Sequence, residues 1–483
     1  MNSAFLPAFL PELVLLAGAL GLFVVALGGS RARAARNVAL ATGVAAIAAS
    51  VFALGSHAEL FSGAYRVDAF SQLLKLVFAA GFAAIVLLSG DLPDIRSEIR
   101  PEYYLFVTLS VTGLTMLVSC VDVISLIVAL ELSSFPLYLL VPMRREREGH
   151  RSQMESAIKY IMFGVAANGI MLFGLSYLFG LTGTTRLPQM VAVLQSAVHS
   201  PLAIAGLAMA FCGLFYKLAI FPFHFWTPDV YQGASNETAG LIASLPKLGA
   251  VAVLVRFVSL ATPDNTTIAL LLSILATASM FYGNLVALVQ KDLKRMLGFS
   301  GIAHAGYAMV GFVALNVAGY TAAIYYAIGY VLMILACFVA VCRVSPDGAN
   351  VPIADLAGLH RRSPLLAVTL FTGIFALAGL PPFVGFMGKL GLLTAALARG
   401  HLWLVVVAVV NSAIAIYYYL QVIRQAVFGE AADTGTAIRL SPSTRLLCLA
   451  LIACIVAFGA FPETIIGAIA RSLAFVSPAA PLS

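Results

Sequence analysis

Residues 201–261 read PLAIAGLAMAFCGLFYKLAIFPFHFW, then TPDVYQGASN, then ETAGLIASLPKLGAVAVLVRFVSLA. The two outer segments are apolar and long enough to cross a bilayer, and each has one lysine near its middle, Lys217 or Lys247. An ionised amine at membrane depth costs roughly 2.5–3.5 kcal/mol, so such residues usually face the interior of a helix bundle and mark an ion or proton path. Pro222 follows Lys217 closely and predicts a helix break beside the charge.

The composition is typical of a polytopic membrane protein. Of 483 residues, 61% are hydrophobic and 10% are charged, whereas a soluble domain has roughly 25% charged residues. The net charge of +7 comes from arginine-rich loops and indicates membrane orientation, not nucleic-acid binding. The six cysteines form no CxxC pair, and there is no phosphate-binding loop, haem motif or flavin motif. We therefore expect no metal and no cofactor in this chain.

Apolar windows predict an all-α fold of about fourteen membrane spans, with the lipid bilayer as its surroundings. The predicted spans are 9–28, 37–55, 69–90, 102–119, 122–142, 154–180, 201–226, 237–261, 266–289, 298–316, 318–342, 363–397, 401–427 and 444–475. No basic residue precedes the first apolar run, so it is predicted to be a retained span and not a cleaved signal.

The arginines predict the orientation. The loops after odd-numbered spans contain the basic clusters, for example Arg31, Arg33 and Arg36, or Lys291, Lys294 and Arg295. The opposite loops contain single basic residues such as Arg66 and Arg186. Basic loops remain in the cytoplasm, so both termini are predicted to lie outside, on the periplasmic side of a bacterial inner membrane.

Lysines are distributed differently from arginines. Only seven of the 28 basic residues are lysines, and five of these fall within predicted spans: Lys75, Lys159, Lys217, Lys247 and Lys389. Arginine keeps its proton in a protein, whereas a buried lysine can release it. This distribution is typical of a protein that moves protons.

Glu131 is a predicted electrostatic partner of Lys217. It lies in span 5, with Pro136 shortly after it. Two such charges about 6 Å apart would interact by roughly 3 kcal/mol, enough to bias proton loading and release. The alternative is a carboxylate that only makes a packing hydrogen bond to Ser133 or Ser134.

Three further candidates are one lysine and two histidines within the predicted spans. Lys389 follows Pro381 and Pro382 in span 12, and it is either a proton carrier or a lysine that reaches toward the membrane surface. His304 and His224 titrate near neutrality and are possible relay residues, although a lone histidine is more often a hydrogen-bonded core residue.

The remaining charges lie nearer the ends of spans. Lys75 and Lys159 could both reach the membrane surface, and Glu155 would offset the charge of Lys159 from one helical turn away. Lys159 is retained as a possible relay residue. Asp229 and Glu237 flank the loop between spans 7 and 8 and are predicted to lie at the membrane interface.

The spans predict an internal repeat. Spans 4–8 and 9–13 form two sets of five, and an odd number inverts the second set in the membrane. Spans 7 and 12 are both interrupted by proline and both have a lysine, which is typical of a transport site formed by two repeats. The predicted units are a three-helix segment at 1–101, the repeats at 102–261 and 266–427, and a final helix at 444–475.

From VDAF (67–70) through span 13 the sequence resembles the antiporter-like membrane subunits of respiratory complex I. The strongest segments are LELSSFPLYLL (130–140), ESAIKYIMFG (155–164), KLAIFPFHFWTPDVYQGA (217–234), SGIAHAGY (300–307) and LAGLPPFVGFMGK (377–389). Within that family it resembles subunit N, because LPK at 245–247 has a lysine where the sister subunits generally have histidine, and because no long lateral helix follows span 14.

The resemblance implies a proton-translocating subunit of an NADH:quinone oxidoreductase. It implies that Glu131 acts with Lys217, that Lys247 is the central link and Lys389 the exit residue, and that water and His304 connect them. It also implies that NADH, FMN, iron–sulfur clusters and quinone are bound by partner subunits. The partners would be a neighbouring antiporter-like subunit and small membrane subunits near the quinone arm. One departure is SNET at 235–238, where the family usually has a proline-rich opening to span 8.

Three alternatives remain open. A cation/proton antiporter subunit is disfavoured because sodium prefers oxygen ligands, whereas this interior is mostly amine and imidazole. A membrane subunit of an energy-converting hydrogenase would have much the same sequence. A purely structural spacer is disfavoured by the cost of buried charge.

Overall fold

The computed structural model describes residues 5–29, 32–147, 151–197, 200–258, 266–429 and 437–473, and these are almost entirely helical. Twelve helices within these ranges are long and apolar enough to cross a membrane, and two shorter apolar helices accompany them. The all-α prediction is confirmed, apart from a hairpin of two three-residue strands, β1 (Ala58–Leu60) and β2 (Tyr65–Val67). Arg31 and the predicted span ends 259–261 and 474–475 lie outside the described residues.

The first part of the chain contains eleven helices. They are α1 (Phe5–Leu27), α2 (Ala32–Ala53), α3 (Ala69–Ser89), α4 (Arg100–Leu117), α5 (Val123–Leu140), α6 (Ser152–Thr182), α7 (Leu187–Ala197), α8 (Pro201–Leu218), α9 (Trp226–Gly233), α10 (Asn236–Ala243) and α11 (Leu245–Val258). Helix α4 corresponds to predicted span 4 but is not among the twelve long apolar helices, so the total of fourteen spans stays a prediction.

The second part contains nine helices. They are α12 (Thr266–Ala287), α13 (Leu293–Val313), α14 (Val317–Val344), α15 (Leu359–Arg362), α16 (Pro364–Ala378), α17 (Val384–Ala398), α18 (Leu402–Phe428), α19 (Pro442–Ala460) and α20 (Pro462–Ser472). Helices α13 and α14 are almost wholly buried and form the centre of the bundle, whereas α18 and α19 are largely exposed, as expected for helices that face lipid.

Short polar side chains begin many of these helices. The carboxylate of Asp68 accepts a hydrogen bond from the Ser71 amide at the start of α3, and Asp292 accepts one from the Arg295 amide at the start of α13. Ser200 does the same for α8. Each cap satisfies an amide that has no partner within the helix, typically stabilising it by about 1 kcal/mol.

Both predicted helix breaks are confirmed. Helix α8 ends at Leu218, where Ala219 takes a left-handed conformation (φ 64°), and the chain becomes helical again only at Trp226. Predicted span 12 consists of α16 and α17, and Gly379 after α16 is also left-handed (φ 84°). Glycine adopts this conformation at little cost, whereas alanine at 219 must be held there by its surroundings.

Two spans that were predicted as single helices are also divided. Span 8 consists of α10 and α11, which meet at a non-helical Ser244 (φ −111°, ψ −88°) two residues before Pro246. Span 14 consists of α19 and α20, which meet at Phe461, directly before Pro462. In both, the proline lacks an amide donor and cannot continue the preceding helix.

The loops meet in two separate groups. At what we call the arginine-rich end, the loops after α3, α5 and α14 meet, and Arg144 donates hydrogen bonds to Asp94 and to the carbonyl of Gly348. Arg147 binds both Asp94 and Asp347. Burial raises the pKa of Asp347, but hydrogen bonds from Arg147 and other donors outweigh it and lower this pKa to about 2.

The other group contains the loops after even-numbered predicted spans. Tyr65 in β2 pairs with Cys120, and Asp122 pairs with Arg186. The structure thus separates the two sets of loops as the charge pattern predicted. Which end faces the cytoplasm stays a prediction.

Candidate functional site

Lys217 lies in the last turn of α8, beside the break, and only 7% of it is exposed. Its Nζ donates to the carbonyl oxygen of Leu130 at 3.2 Å and to Ser133 Oγ at 2.7 Å. Both acceptors are on α5, so the predicted proton carrier of span 7 is held directly against span 5.

Glu131 lies beside these acceptors but does not touch Lys217. Its carboxylate accepts a hydrogen bond from Asn168 Nδ2 on α6 at 2.5 Å. Among the described ion pairs within 4 Å, none joins Glu131 to Lys217, although the two charges interact electrostatically. The acid and the amine are therefore not paired directly, and each has its own polar partner.

Lys247 is in the first turn of α11, directly after the break at Ser244, and 4% of it is exposed. Its Nζ donates to the carbonyl oxygen of Gly301 at 3.2 Å and lies 5.8 Å and 5.5 Å from the ring centres of Tyr231 and Tyr330. A Cβ atom at Gly301 would lie 2.8 Å from Nζ, so the glycine creates the space that the amine occupies.

A small cavity lies beside both Lys247 and His304. Its lining includes Lys247 and His304, together with Leu218, which follows Lys217 in the chain. It has about 20 Å³ of space for the centre of a water molecule. A cavity needs roughly 10–15 Å³ by that measure to hold one water, so the space between these residues fits about one.

His304 is bonded on both ring nitrogens. Its Nδ1 is 2.5 Å from the hydroxyl of Tyr326 on α14, and its Nε2 is 2.9 Å from the hydroxyl of Tyr419 on α18. Only 4% of the residue is exposed. Either tyrosine can donate or accept a proton, so His304 is in a hydrogen-bonded chain that spans three helices.

Lys389 lies at the second break, with 7% of it exposed. Its Nζ donates to the carbonyl oxygens of Leu377 and Ala378 at 3.3 Å and 3.1 Å, in the last turn of α16. It also lies 4.6 Å from the ring centre of Tyr307. The expectation that Lys389 could reach the membrane surface is wrong, because the amine points to the interrupted backbone.

Sequence reasoning found the lysines and His304 but missed the tyrosines around them. Tyr326 and Tyr330 are one helical turn apart on α14, in YYAIGY (325–330), and Tyr419 ends the run YYY on α18. Their one-turn spacing places Tyr326 and Tyr330 on one face. The sequence therefore contained a signal for the two tyrosines, but it did not show that His304 is the partner of Tyr326.

His224 does not join this group. Both of its ring nitrogens are buried and have no hydrogen-bond partner among the described residues, and its ring packs against Phe221, Phe225 and Tyr282 at 4.3–5.3 Å between ring centres. The structure places this predicted relay residue in an aromatic cage beside the break.

Lys159 is also outside the group. Its Nζ is 2.7 Å from Glu155 and 2.7 Å from Asp229, which in turn pairs with Arg295. The predicted offset by Glu155 is confirmed. The side chain of Lys159 is 37% exposed, so it lies in a surface ion network.

The expectation that Lys75 could reach the membrane surface is wrong. Its Nζ lies 2.7 Å from the carboxylate of Glu12 on α1, and both side chains are completely buried. The same carboxylate accepts a hydrogen bond from the Tyr65 hydroxyl at 2.6 Å. This ion pair fastens α1 to α3 within the lipid-spanning part of the bundle.

We expect Lys75→Met to destabilise the protein by about 3–5 kcal/mol, because it leaves the carboxylate of Glu12 buried without a counter-charge. A Glu12→Leu/Lys75→Met double variant should regain most of that loss, since it removes both charges. Thermal unfolding in detergent and the amount of protein in the membrane measure this. A double variant as unstable as the single one would contradict the interpretation.

Two other charged residues are buried in the protein. Glu237 is 1% exposed in the first turn of α10, and its predicted place at the membrane interface stays a prediction. Lys294 was counted among the loop residues, but it is completely buried in the first turn of α13. No cluster of three His, Cys, Asp or Glu side chains able to hold a metal is found within the described ranges.

Comparison with known proteins identifies the family. Residues 120–415 match the family model described as "NADH:quinone oxidoreductase/Mrp antiporter, TM". A protein of Opitutus terrae named NADH-quinone oxidoreductase subunit N 2 is 64% identical over 97% of this chain and 98% of its own length.

Solved structures agree with this match. A chain of respiratory complex I from Thermus thermophilus superposes with a TM-score of 0.82 at 31% identity, over 96% of this chain and 100% of that one. A chain of the Mrp complex from Dietzia sp. reaches 0.85 at 21% identity over 98% of both chains, which shows a common fold. The chain therefore belongs to the antiporter-like membrane subunits of the NADH:quinone oxidoreductase/Mrp antiporter family, and within that family to subunit N.

Proposed function

We propose that this chain is the proton-translocating subunit N of a bacterial NADH:quinone oxidoreductase. The observation that carries the proposal is the row of buried groups formed by Lys217, Lys247, His304 and Lys389, each on a different helix and next to a break, a cavity or a hydrogen-bonded tyrosine. Four such groups at membrane depth are costly and are typical of proton paths.

Each group has a role in the proposed transfer. Energy from quinone reduction elsewhere in the complex shifts Glu131 relative to Lys217, which changes how firmly Lys217 holds its proton. The proton then passes through the cavity to Lys247 and to His304 with its tyrosines. Lys389 receives it and releases it from the second break. His224 and Lys159 have no step in this sequence.

The same proposal covers partners, cofactors and location. The chain would lie in the bacterial inner membrane with both termini on the periplasmic side. It would pack against a neighbouring antiporter-like subunit and the small membrane subunits near the quinone arm. NADH, FMN, iron–sulfur clusters and quinone would be bound by other subunits. The two five-helix units, 102–261 and 266–427, would be inverted repeats, which fits the matching breaks after α8 and α16.

A second candidate is a subunit of a cation/proton antiporter, which the likeness in fold to the Mrp chain favours. In that case the same row of lysines would exchange protons against a cation gradient with no redox partner. A third candidate is a membrane subunit of an energy-converting hydrogenase, in which the same row of lysines would carry protons.

A native gel distinguishes these functions. Membranes are extracted with a gentle detergent, the chain is located with an antibody, and the same lane is stained for NADH–dye reductase activity. We expect the chain in a particle many times its own mass that stains with NADH. A large unstained particle would overturn the NADH-fed assignment and favour a hydrogenase or another electron donor. A small particle would overturn the complex altogether and leave the antiporter.

A further inference from the structure

Glu237 is a buried acid that the lysine row does not use. It lies in the first turn of α10, it is 1% exposed, and its Oε2 has no hydrogen-bond partner among the described residues. No described cation comes within 4 Å of its carboxylate. Burying such a group is costly unless something compensates it, so its presence requires an explanation.

Lys294 is an equally buried amine nearby. It is 0% exposed, and its Nζ donates to the carbonyl oxygen of Ala234 at 2.8 Å. No described carboxylate lies within 4 Å of it, yet it interacts electrostatically with Glu237. An acid and an amine are therefore coupled without touching, as Glu131 and Lys217 are in the first repeat.

The other charged and titratable groups around this couple come from five parts of the chain. They are Arg343 and Cys342 on α14, Tyr103 and Tyr104 on α4, Asp94 in the loop after α3, Arg144 in the loop after α5, and Asp292 at the start of α13.

Most of these groups are committed to other contacts. Arg144 and Arg147 both bind Asp94, and Arg343 donates to the carbonyl oxygen of Leu88. Arginine does not release its proton in a protein. The Glu237 carboxyl and the Lys294 amine are in no described ion pair, so they are able to exchange a proton without breaking one.

Water can connect the two groups. Besides Glu237 Oε2, the buried atoms Asn236 Oδ1 and Arg343 Nε have no partner among the described residues. Buried polar atoms of this kind are normally satisfied by ordered water. Asp94, one of the charged groups around the couple, is bound by Arg147, whose side chain is 38% exposed at the arginine-rich end.

We propose that Glu237 and Lys294 form a proton-exchanging couple that takes up protons at the arginine-rich end of the bundle. The O–H bond of the Glu237 carboxyl breaks, and its proton passes to one water while that water gives a proton to Lys294 Nζ, where a new N–H bond forms. This leaves a carboxylate and an ammonium, and the reverse step restores the neutral pair. Helices α10 and α11 then continue from Glu237 to Lys247, so the acid of the couple and the central lysine belong to one interrupted span.

The inference rests on the proposed function and is tested in the intact complex. Glu237→Gln keeps the shape of the side chain but cannot exchange a proton. The matched control is Glu98→Gln, at an exposed loop residue of the same end. Membrane vesicles with each variant are compared for complex assembly, NADH:quinone reductase rate with an uncoupler, initial rate of proton pumping, and infrared difference absorption of a carboxyl group on changing pH.

We expect the Glu237→Gln complex to assemble, to keep its uncoupled redox rate and to lose one carboxyl signal in the infrared spectrum. It should pump protons more slowly by roughly tenfold or more, because a positioned proton donor contributes about 10²–10⁴-fold to a transfer step. Glu237→Asp should shift the pH profile of pumping, which a merely structural residue would not do. If the Glu237→Gln complex fails to assemble, the pH profile of the Glu237→Asp variant tests the inference in its place. Unchanged pumping and an unchanged profile would overturn the inference.

Lys217→Ala, measured in the same vesicles, separates this inference from the proposed function. Impaired pumping in Lys217→Ala with normal pumping in Glu237→Gln would overturn only the inference. Normal pumping in both would overturn the proposed function as well.

Discussion

Lys217→Ala is expected to lower the initial rate of NADH-driven proton pumping by roughly 10²-fold or more, while the complex still assembles. The amine of Lys217 is the group that α8 presents to α5, through the Leu130 carbonyl and Ser133 Oγ, and alanine cannot carry a proton there. Assembly should survive, because the substitution removes a buried charge that has no direct counter-ion, which is a cost in the folded protein.

Acidification of inverted membrane vesicles on addition of NADH measures this, beside the reductase rate of the same vesicles. Lys291→Ala is a matched control, since Lys291 is an exposed lysine in the loop before α13. If Lys217→Ala pumps at the rate of the control, the chain acts as a spacer and the proposed path is wrong.

Gly385→Ala is expected to prevent the subunit from accumulating in the membrane. A Cβ atom at Gly385 would lie 1.8 Å from the carbonyl oxygen of Ala376, a backbone atom that cannot move aside without displacing α16 from α17. Overpacking of a close-packed core usually costs about 1–3 kcal/mol, and a clash with backbone at the break should exceed that range.

Gly391→Ala is the matched control on the same helix, because its Cβ would meet its nearest neighbour, Ala322, at an ordinary 3.4 Å. Immunoblots of membranes and the size of the particle on a native gel measure the two variants side by side. Equal amounts of assembled protein from both would show that the junction of α16 and α17 tolerates a side chain at 385.

Local sequence signals predicted the features that depend on hydrophobicity and proline. The helix breaks beside Lys217 and before Lys389 follow from Pro222 and from Pro381–Pro382, and the structure has both. The burial of Lys217, Lys247 and Lys389 followed from their apolar neighbours in the sequence. The alternation of arginine clusters correctly grouped the loops that meet around Arg144.

Features that depend on distant partners were not predicted. Glu12 and Lys75 are 63 positions apart, and the sequence alone does not show that one helix face meets the other. The pairing of His304 with Tyr419 depends on how α13 packs against α18. The break at Ser244 had a signal in Pro246, but proline is often tolerated near the start of a helix, so span 8 was predicted as continuous.

The interrupted helices also have an electrostatic consequence. Lys389 binds the last carbonyls of α16, Lys294 binds the carbonyl of Ala234 at the end of α9, and Lys217 is in the last turn of α8. The C-terminal end of a helix has a dipole equivalent to about half a negative charge. The ends of these helices therefore help to stabilise the three amines, in addition to any neighbouring carboxylate. They favour a cationic proton carrier over an anionic one at each position.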